Sequence, residues 1–336
     1  MRRVAICFLF ASLTLSAQTK KILVQGAPPE RVRELQALTT KAQIVGVNKE
    51  NLAEHLADAD AFIGNITPDQ VRAGKNLKWV QVQSAGVEGV LHLAGSSALR
   101  DSAIVLTNNQ IVQGPEIADH AMAMLLSLAR RLPTYIADRQ AENWRRGERY
   151  QGIELNGRTA VIVGVGGIGS QIAFRAWAHG MRVIGVDPED IPFMPILHKV
   201  VKPDQIDEVL PEADVLFISA PHTPQSHRMI GSRQFDLMKK DSYFIAVSRG
   251  AIYDLNGLVR ALDSKHLAGA GVDVTDPEPL PKGHALWKFD NVIITPHIAG
   301  RSDKDAARMN NTVKENIVRF ADGRPLINVV DKQKGY

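Results

Sequence analysis

Short apolar runs alternate with amphipathic stretches along most of the chain. Before residue 110 the apolar runs lie at residues 22–25, 44–47, 61–64 and 79–83, and a fifth run ends at Thr107-Asn108. Helical patterns separate the first three, at residues 31–39 and 50–57. Strand-length apolar runs connected by helical stretches predict a parallel β-sheet with crossover helices.

A second series of apolar runs begins after residue 158. These runs lie at residues 161–163, 183–186, 215–218, 243–247, 269–272 and 292–294. Helical patterns again lie between them, so this half of the chain predicts a second, doubly wound parallel sheet. In such sheets ligands bind at the carboxyl ends of the strands.

The turn after the first strand of this second series is rich in glycine. Gly164 permits the tight turn, Gly166 allows the backbone to approach a pyrophosphate, and Gly169 lets the following helix pack closely on the strand. The free N–H groups of that helix would face the phosphates. Asp187 closes the next strand, where it can accept hydrogen bonds from an adenosine ribose and would repel a 2′-phosphate. The pattern therefore predicts NAD rather than NADP, whereas an ordinary glycine-rich turn is the alternative.

Two further helices define the domain organisation. Residues 116–132 form a helix that is apolar on nearly all sides, typical of a core or an interface, and residues 303–320 form an amphipathic helix. We predict an α/β protein in which a Rossmann domain, residues 111–300, is inserted in a second, flavodoxin-like α/β domain. That second domain comprises residues 20–110 and 301–336.

The first seventeen residues differ from the rest of the chain. Arg2 and Arg3 precede an uncharged apolar run, residues 4–15, followed by Ser16 and Ala17. A positively charged n-region, a short apolar h-region and small residues at the cleavage site predict a secretory signal peptide at residues 1–17. The predicted location is therefore the periplasm or the medium, with no membrane anchor after cleavage. A mis-assigned start codon, or an apolar first strand in a cytoplasmic protein, is the alternative.

Composition narrows the classes of partner. The chain has 336 residues, 45% of them hydrophobic, and its formal net charge is +4. Acidic and basic residues are interspersed, without the basic block that nucleic-acid binding favours, so no nucleic-acid partner is predicted. The single cysteine, Cys7, lies in the predicted signal peptide, which excludes a disulfide in the mature chain.

Polar residues follow four strands of the predicted second sheet. They are Ala220-Pro221-His222-Thr223, then Ser248-Arg249-Gly250, then Asp273, then Pro296-His297. The Arg249 fork can bind a carboxylate in two-pronged fashion, although a surface arginine is the alternative. His297 is a candidate acid or base, although an isolated histidine is equally often a core residue. Glu278, between two prolines, would stabilise a protonated His297, or else is a solvated loop residue.

Two other features give weaker signals. The Ser84–Glu88 turn after the fourth strand exposes successive backbone N–H groups that suit a carboxylate, but by sequence alone a plain turn is favoured. His222 and His227 are five residues apart in a proline-rich loop and match no zinc spacing. We therefore predict no metal site.

Several motifs together resemble those of the D-isomer-specific 2-hydroxyacid dehydrogenases. They are Leu155-Asn156-Gly157-Arg158-Thr159 before the glycine turn, Ala220-Pro221-His222-Thr223-Pro224, Val247-Ser248-Arg249-Gly250, Gly271-Val272-Asp273-Val274 with Glu278-Pro279-Leu280, and Thr295-Pro296-His297-Ile298-Ala299-Gly300. The match covers nearly all of residues 20–330. It is far more specific than the glycine turn alone.

The resemblance implies a role for each site residue. Arg249 would orient the substrate carboxylate, His297 would donate the proton to the carbonyl oxygen, and Glu278 would be the partner of His297. Ala85 and Gly86 match the loop that holds the substrate carboxylate. The positions that match NAD contacts, together with the glycine turn, are Gly164, Gly166, Gly167, Ile168, Gly169, Asp187, Ala220, Pro221, Val247, Ser248, Arg249 and Asp273.

The expected activity is therefore NAD-dependent interconversion of a small 2-oxo acid and the D-2-hydroxy acid. The resemblance also implies a homodimer, formed through the apolar helix at residues 116–132. Two positions depart from the family pattern: Ala246 stands where asparagine is usual, and Asp119-His120 replaces a Glu-His pair. Glu278 argues against the formate dehydrogenase branch, which carries glutamine there. A non-catalytic NAD(H)-sensing protein on the same scaffold is the alternative.

Overall fold

A computed structural model describes residues 19–144 and 152–336. The predicted signal peptide, including Cys7, lies outside the described residues. The strands of the first sheet are β1 (Lys20–Gln25), β2 (Ala42–Val47), β3 (Ala61–Ile63), β4 (Trp79–Gln81) and β5 (Val105–Thr107). All of its pairings are parallel, in the order β2-β1-β3-β4-β5, which is the flavodoxin-like order.

The second sheet is parallel throughout as well. Its strands are β6 (Thr159–Val163), β7 (Arg182–Val186), β8 (Lys199–Val201), β9 (Val215–Ile218), β10 (Ser242–Ala246), β11 (Leu267–Val272) and β12 (Val292–Ile294). Their order is β12-β11-β10-β9-β6-β7-β8. The chain order reverses between β6 and β9, which is the switch point where doubly wound sheets bind ligands. The predicted fold class is confirmed.

Helices cover both sheets. They are α1 (Pro29–Gln36), α2 (Leu52–Leu56), α3 (Pro68–Ala73), α4 (Gly114–Ala129), α5 (Leu132–Gln140), α6 (Gly167–Ala178), α7 (Ile206–Val209), α8 (Ser232–Leu237), α9 (Leu255–Asp263) and α10 (Asp305–Asp322). Short strands with fully buried patterns, such as β9 and β10, lie in the middle of the second sheet, as their continuous apolar runs require.

The apolar helix α4 lies inside the core of the second domain. Its residues Ile117, Ala121 and Leu125 are buried, and the helix packs on α6 and on β10 and β11. The apolar face predicted at residues 116–132 is therefore covered largely by this chain itself. Arg131, with φ of 55°, ends the helix, and α5 begins at the next residue with Pro133 in its first turn.

The long helix α10 returns to the first sheet. Its buried residues Val313 and Ile317 pack in one cluster with Ile22 and Trp79, so residues from both ends of the described chain build this core. Strand β8, at the edge of the second sheet, was not predicted because its three residues are partly or fully exposed and carry no buried run. Among the described residues, no helix is long and apolar enough to span a membrane.

Candidate active site

A cleft of about 1000 Å³ separates the two sheets. It is lined by the carboxyl ends of strands from the second sheet and by the loops after β4 and β5 of the first. All but two of the predicted site residues line it. Gly169 lies beneath the turn, packed on the backbone of Gly164, and Glu278 lies behind His297.

The glycine turn connects β6 to α6 at one wall of the cleft. Gly164 has φ of +86°, and a Cβ there would approach Ala220 to 2.6 Å, so only glycine fits. A Cβ on Gly169 would overlap the Gly164 carbonyl oxygen, whereas one on Gly166 would extend into open space. Helix α6 begins at Gly167 without a side-chain cap, which leaves its first N–H groups available to an anion.

Asp187 closes β7 beside this turn. The residue is 7% exposed, its Oδ2 accepts from the Val165 N–H at 2.7 Å, and its Oδ1 accepts from the Glu189 N–H at 2.9 Å. A carboxylate oxygen can accept more than one hydrogen bond, so acceptor capacity remains for a ligand in the cleft. The backbone donors fix the orientation of the carboxylate.

His297 and Glu278 form a hydrogen-bonded pair. His297 Nδ1 lies 2.8 Å from Glu278 Oε2, and 43% of the histidine side chain is exposed to the cleft. This contact orients the ring so that Nε2 is the nitrogen left for a substrate. The backbone of His297 has φ of +53°, a conformation that costs a non-glycine residue free energy, and its N–H donates to the Asp273 carbonyl at 2.8 Å.

The loop that carries His297 is held by the buried carboxylate of Asp273. Its Oδ1 accepts from the Thr295 hydroxyl at 2.6 Å and the Ile298 N–H at 2.9 Å, and its Oδ2 accepts from the Ala299 N–H at 2.9 Å. His120 Nε2 lies 2.9 Å from the same Thr295 hydroxyl. These contacts make Asp273 a positioning residue, in addition to its place on the wall of the cleft.

Arg249 crosses the cleft to the first domain. Its Nε donates to Glu88 Oε1 at 2.5 Å, and its Nη1 donates to the Ser248 carbonyl at 2.7 Å. Its Nη2 lies where a Cβ on Gly86 would be, so the guanidinium rests directly on the Ser84–Glu88 turn. Gly250 permits this approach, because a Cβ there would overlap the backbone of Thr275.

The turn beside Arg249 presents two free donors. The N–H groups of Ala85 and Gly86 donate to no acceptor among residues 19–144 and 152–336. The Asn108 amide donates to the Ala85 carbonyl at 2.6 Å, and the Asn109 amide to the Gln83 carbonyl at 2.7 Å, which fixes the turn. The turn and the Arg249 fork together can donate hydrogen bonds to a carboxylate.

Sequence reasoning missed Glu88, Asn108 and the contact of His120. The partners of Glu88 and Asn108 lie 161 and 23 residues away along the chain, so no local spacing indicates these contacts. For His120, the only sequence feature that could have drawn attention to this contact was that Asp119-His120 replaces the Glu-His pair usual in the family. Ala246 stands where the family usually has asparagine, so it supplies no side-chain hydrogen bond to the Arg249 loop. That loop is held instead by the contacts of Arg249 with Glu88 and the Ser248 carbonyl, and by the close packing of Gly250 on Thr275.

His222 also lines the cleft but is a poor proton donor. Burial, and then the neighbouring His227, lower the pKa of His222 below its usual value. Its Nε2 lies 3.2 Å from His227 Nδ1, so the two rings compete for one proton. At neutral pH His222 is therefore mostly uncharged.

Two independent observations indicate that the cleft can hold a dinucleotide. Ser248 Oγ is buried on the wall of the cleft and has no hydrogen-bond partner among the described residues. The open space beside Gly166, in front of the uncapped helix α6, is where a Cβ would obstruct a pyrophosphate. In the described part of the chain, no three His, Cys, Asp or Glu side chains are grouped to hold a metal ion.

Comparison with known proteins identifies the family. Residues 122–299, more than half of the chain, match the family model described as the NAD-binding domain of D-isomer-specific 2-hydroxyacid dehydrogenases. The chain belongs to the D-isomer-specific 2-hydroxyacid dehydrogenase family. Its members include NAD(P)-dependent reductases of 2-oxo acids, and the resemblance inferred from the motifs is confirmed.

Similar members differ in substrate and cofactor. D-3-phosphoglycerate dehydrogenase of Methanocaldococcus jannaschii is 32% identical over 90% of this chain, which spans 56% of that relative's length. D-lactate dehydrogenase of Aquifex aeolicus, solved with NAD and lactic acid, has a TM-score of 0.75 and 25% identity over 92% of this chain and 99% of its own. An NADPH-dependent glyoxylate/hydroxypyruvate reductase of Sinorhizobium meliloti, solved with NADP and sulfate, has a TM-score of 0.78 and 26% identity over 94% of this chain and 100% of its own.

We predict that Glu88→Gln weakens the binding of a carboxylate beside Arg249. The change removes the charged partner of Arg249 Nε and so loosens the fork beside Gly86. The KM for a 2-oxo acid should rise about three- to tenfold, because an interaction of this kind contributes roughly 1 kcal/mol. Steady-state kinetics at saturating NADH measures this KM.

The matched control is Asp119→Asn, which breaks the Arg175–Asp119 pair between α4 and α6, two residues that do not line the cleft. Its KM should equal that of the wild type. An unchanged KM in Glu88→Gln would show that Arg249 needs no partner across the cleft.

Proposed function

We propose that this protein is an NAD-dependent dehydrogenase that interconverts a small 2-oxo acid and the corresponding D-2-hydroxy acid. The observation that carries the proposal is the convergence of three features on one cleft. These are the uncapped glycine turn, the carboxylate site at Arg249 and the His297–Glu278 pair. The same cleft thus offers a place for a dinucleotide, an anchor for a carboxylate and a proton donor.

Substrate binding would use charge and shape together. A substrate carboxylate can accept from Arg249 Nη2 and from the free N–H groups of Ala85 and Gly86. This anchor would place the adjacent carbonyl group toward His297, which lines the same cleft. Because the anchor is rigid, it would reduce the entropy lost in bringing the reacting groups together.

The proton step would belong to His297. When the carbonyl carbon is reduced its oxygen becomes alkoxide-like, and a protonated imidazole can donate a proton to that oxygen through Nε2. Glu278 would stabilise the imidazolium through its contact with Nδ1. The bound nicotinamide cofactor supplies the hydride. In the oxidative direction His297 would accept the proton instead.

The choice of NAD rests on Asp187. Its oriented carboxylate would bind ribose hydroxyls and repel a 2′-phosphate. Members of the family use either cofactor, as the lactate dehydrogenase and the glyoxylate/hydroxypyruvate reductase illustrate. Their substrates suggest lactate- and glyoxylate-sized acids as the first compounds to test here.

A single assay tests the activity. Purified protein is incubated with NADH and glyoxylate, hydroxypyruvate, pyruvate, phenylpyruvate or 3-phosphohydroxypyruvate, and NADH oxidation is followed by absorbance. We expect turnover with at least one acid. NADH binding without turnover of any of them would instead support the non-catalytic sensor.

We predict that His297→Gln loses about 10²- to 10⁴-fold in kcat, the usual contribution of a positioned acid. NADH binding should persist, because the glycine turn and Asp187 are unaffected. Fluorescence titration of NADH and steady-state kinetics separate the two effects. Near wild-type reduction in His297→Gln would place the acid elsewhere.

Glu278→Gln is the companion variant. The amide keeps the shape but removes the charge that stabilises the imidazolium. The kcat for reduction should therefore fall while NADH binding persists, because the acid that donates through Nε2 is no longer stabilised at Nδ1. Steady-state kinetics and NADH titration measure the two quantities, and a wild-type kcat in Glu278→Gln would contradict the assigned pairing.

We predict that Asp187→Ser narrows the preference for NADH over NADPH. Removing the carboxylate removes the repulsion of a 2′-phosphate and the acceptor for the ribose hydroxyls, so kcat/KM should fall with NADH and rise with NADPH. The ratio of the two kcat/KM values measures the change. Equal use of both cofactors by the wild type would overturn the role given to Asp187.

We also propose a homodimer, which the family resemblance implies. Because α4 is buried within the chain, the exposed apolar side chains lie on its neighbours, with Phe174 and Trp177 on α6 and Ile136 on α5. The rings of Phe174 and Trp177 are in contact, and adjacent exposed apolar side chains of this kind are typical of an interface with a second copy. Light scattering should give twice the chain mass for the wild type and a monomer for Phe174→Glu. Leu93→Glu, exposed on the other domain, should stay dimeric.

A further inference from the structure

Residues 331–336 form a compact turn that is built around Asp331. Its Oδ1 accepts from the N–H groups of Gln333 at 3.0 Å and Lys334 at 3.1 Å. Its carbonyl accepts from the Gly335 N–H at 2.8 Å, and its own N–H donates to the Tyr336 carbonyl at 2.9 Å. These four hydrogen bonds fix the positions of Lys334 and Tyr336.

The turn is anchored to the first domain. Lys332 Nζ donates to the carbonyl oxygens of Leu99 at 3.1 Å, Ser102 at 2.5 Å and Ile104 at 2.8 Å. Val330 is buried in the core of this domain, and a Cβ on Gly335 would overlap the His92 ring. The turn therefore moves with the first domain.

The far side of the turn contacts Glu189 of the second domain. Lys334 Nζ lies 2.7 Å and Tyr336 Oη 2.8 Å from the same oxygen, Glu189 Oε1. The hydrogen bond from Lys334 lowers the pKa of Glu189, and burial followed by the contact with Glu189 raises the pKa of Tyr336. At neutral pH the contact is therefore an ion pair supplemented by a phenol donor.

This contact lies at the ribose end of the cleft. Glu189 follows Asp187 by two residues, and its N–H donates to Asp187 Oδ1. Lys334, Gly335 and Tyr336 line the cleft together with Asp187. A ligand that reaches Asp187 would thus be enclosed by residues from both domains.

We propose that Lys334 and Tyr336, through Glu189, fasten the two domains over the adenosine half of a bound dinucleotide and slow its release. The inference rests on the proposed function, because it takes the cofactor to be an adenine dinucleotide bound at Asp187. Lys334 and Tyr336 act as positioning residues, since their partner is Glu189. Opening of the cleft requires both of their contacts to break.

The expected change in the rate of NADH release follows from the solvent exposure of the Lys334–Glu189 ion pair. The Lys334 and Glu189 side chains are 48% and 42% exposed, and ion pairs as exposed as this one are weak. The rate of NADH release should therefore rise about two- to fivefold in Lys334→Met and in Tyr336→Phe. In the wild type the rate should increase with salt concentration, because salt screens the pair.

The experiment measures NADH release by stopped-flow displacement and NADH affinity by fluorescence titration. The variants are Lys334→Met, Glu189→Gln, their double variant and Tyr336→Phe. In a double-mutant cycle, Lys334→Met should raise the rate of NADH release only slightly when Glu189 is already replaced by glutamine. The control is Asp190→Asn, which breaks the Lys202–Asp190 pair within the second domain and should leave release unchanged.

Three outcomes would overturn the proposal. Release at the wild-type rate in both Lys334→Met and Glu189→Gln would show that the contact does not restrain the cofactor. Additive effects in the cycle would show that Lys334 acts directly on the anionic cofactor, and an equal increase in Asp190→Asn would show a general effect of charge. Failure of the wild type to bind NADH would overturn the proposed function itself, whereas the first three outcomes leave that function intact.

Discussion

The catalytic side of the cleft depends on the buried carboxylate of Asp273. A charge away from water is costly unless it is fully hydrogen-bonded, and the loop carrying His297 supplies the donors that Asp273 requires. In the described residues, Asp273 accepts the N–H groups of both Ile298 and Ala299. The end of strand β11 therefore fixes the backbone that carries His297, the residue proposed to donate the proton.

The two domains contribute unequal parts of the site. The second domain supplies the glycine turn, Asp187, Arg249 and His297, whereas the first supplies backbone donors and the acidic residue Glu88. The Arg249–Glu88 contact joins them beside Gly86, and the Lys334–Glu189 contact joins them beside Asp187. Both contacts place a cation against a carboxylate across the cleft, so the separation of the domains is coupled to electrostatics at each end.

Much of this architecture could be predicted from the sequence because it depends on local patterns. Buried parallel strands such as β9 and β10 are continuous apolar runs, and the requirement for glycine at 164 and 169 is imposed by backbone geometry within one turn. The strand ends also indicated Arg249 and His297, because parallel strands bring their carboxyl ends to one edge. The contact of Glu88 with Arg249 depends on how the two domains pack, and the contacts of Lys332 with the Leu99–Ile104 segment join distant parts of the first domain, so no local spacing encodes either. Strand β8 was missed because an exposed edge lacks an apolar run.

The left-handed backbone of His297 has a thermodynamic consequence. A histidine there is less favourable than glycine, which tolerates positive φ at lower cost. The fold thus gives up a fraction of its stability, about 1 kcal/mol, to present an imidazole at this point. Stability and activity oppose each other at position 297: a sequence optimised only for thermal resistance would replace the residue on which the proposed chemistry depends.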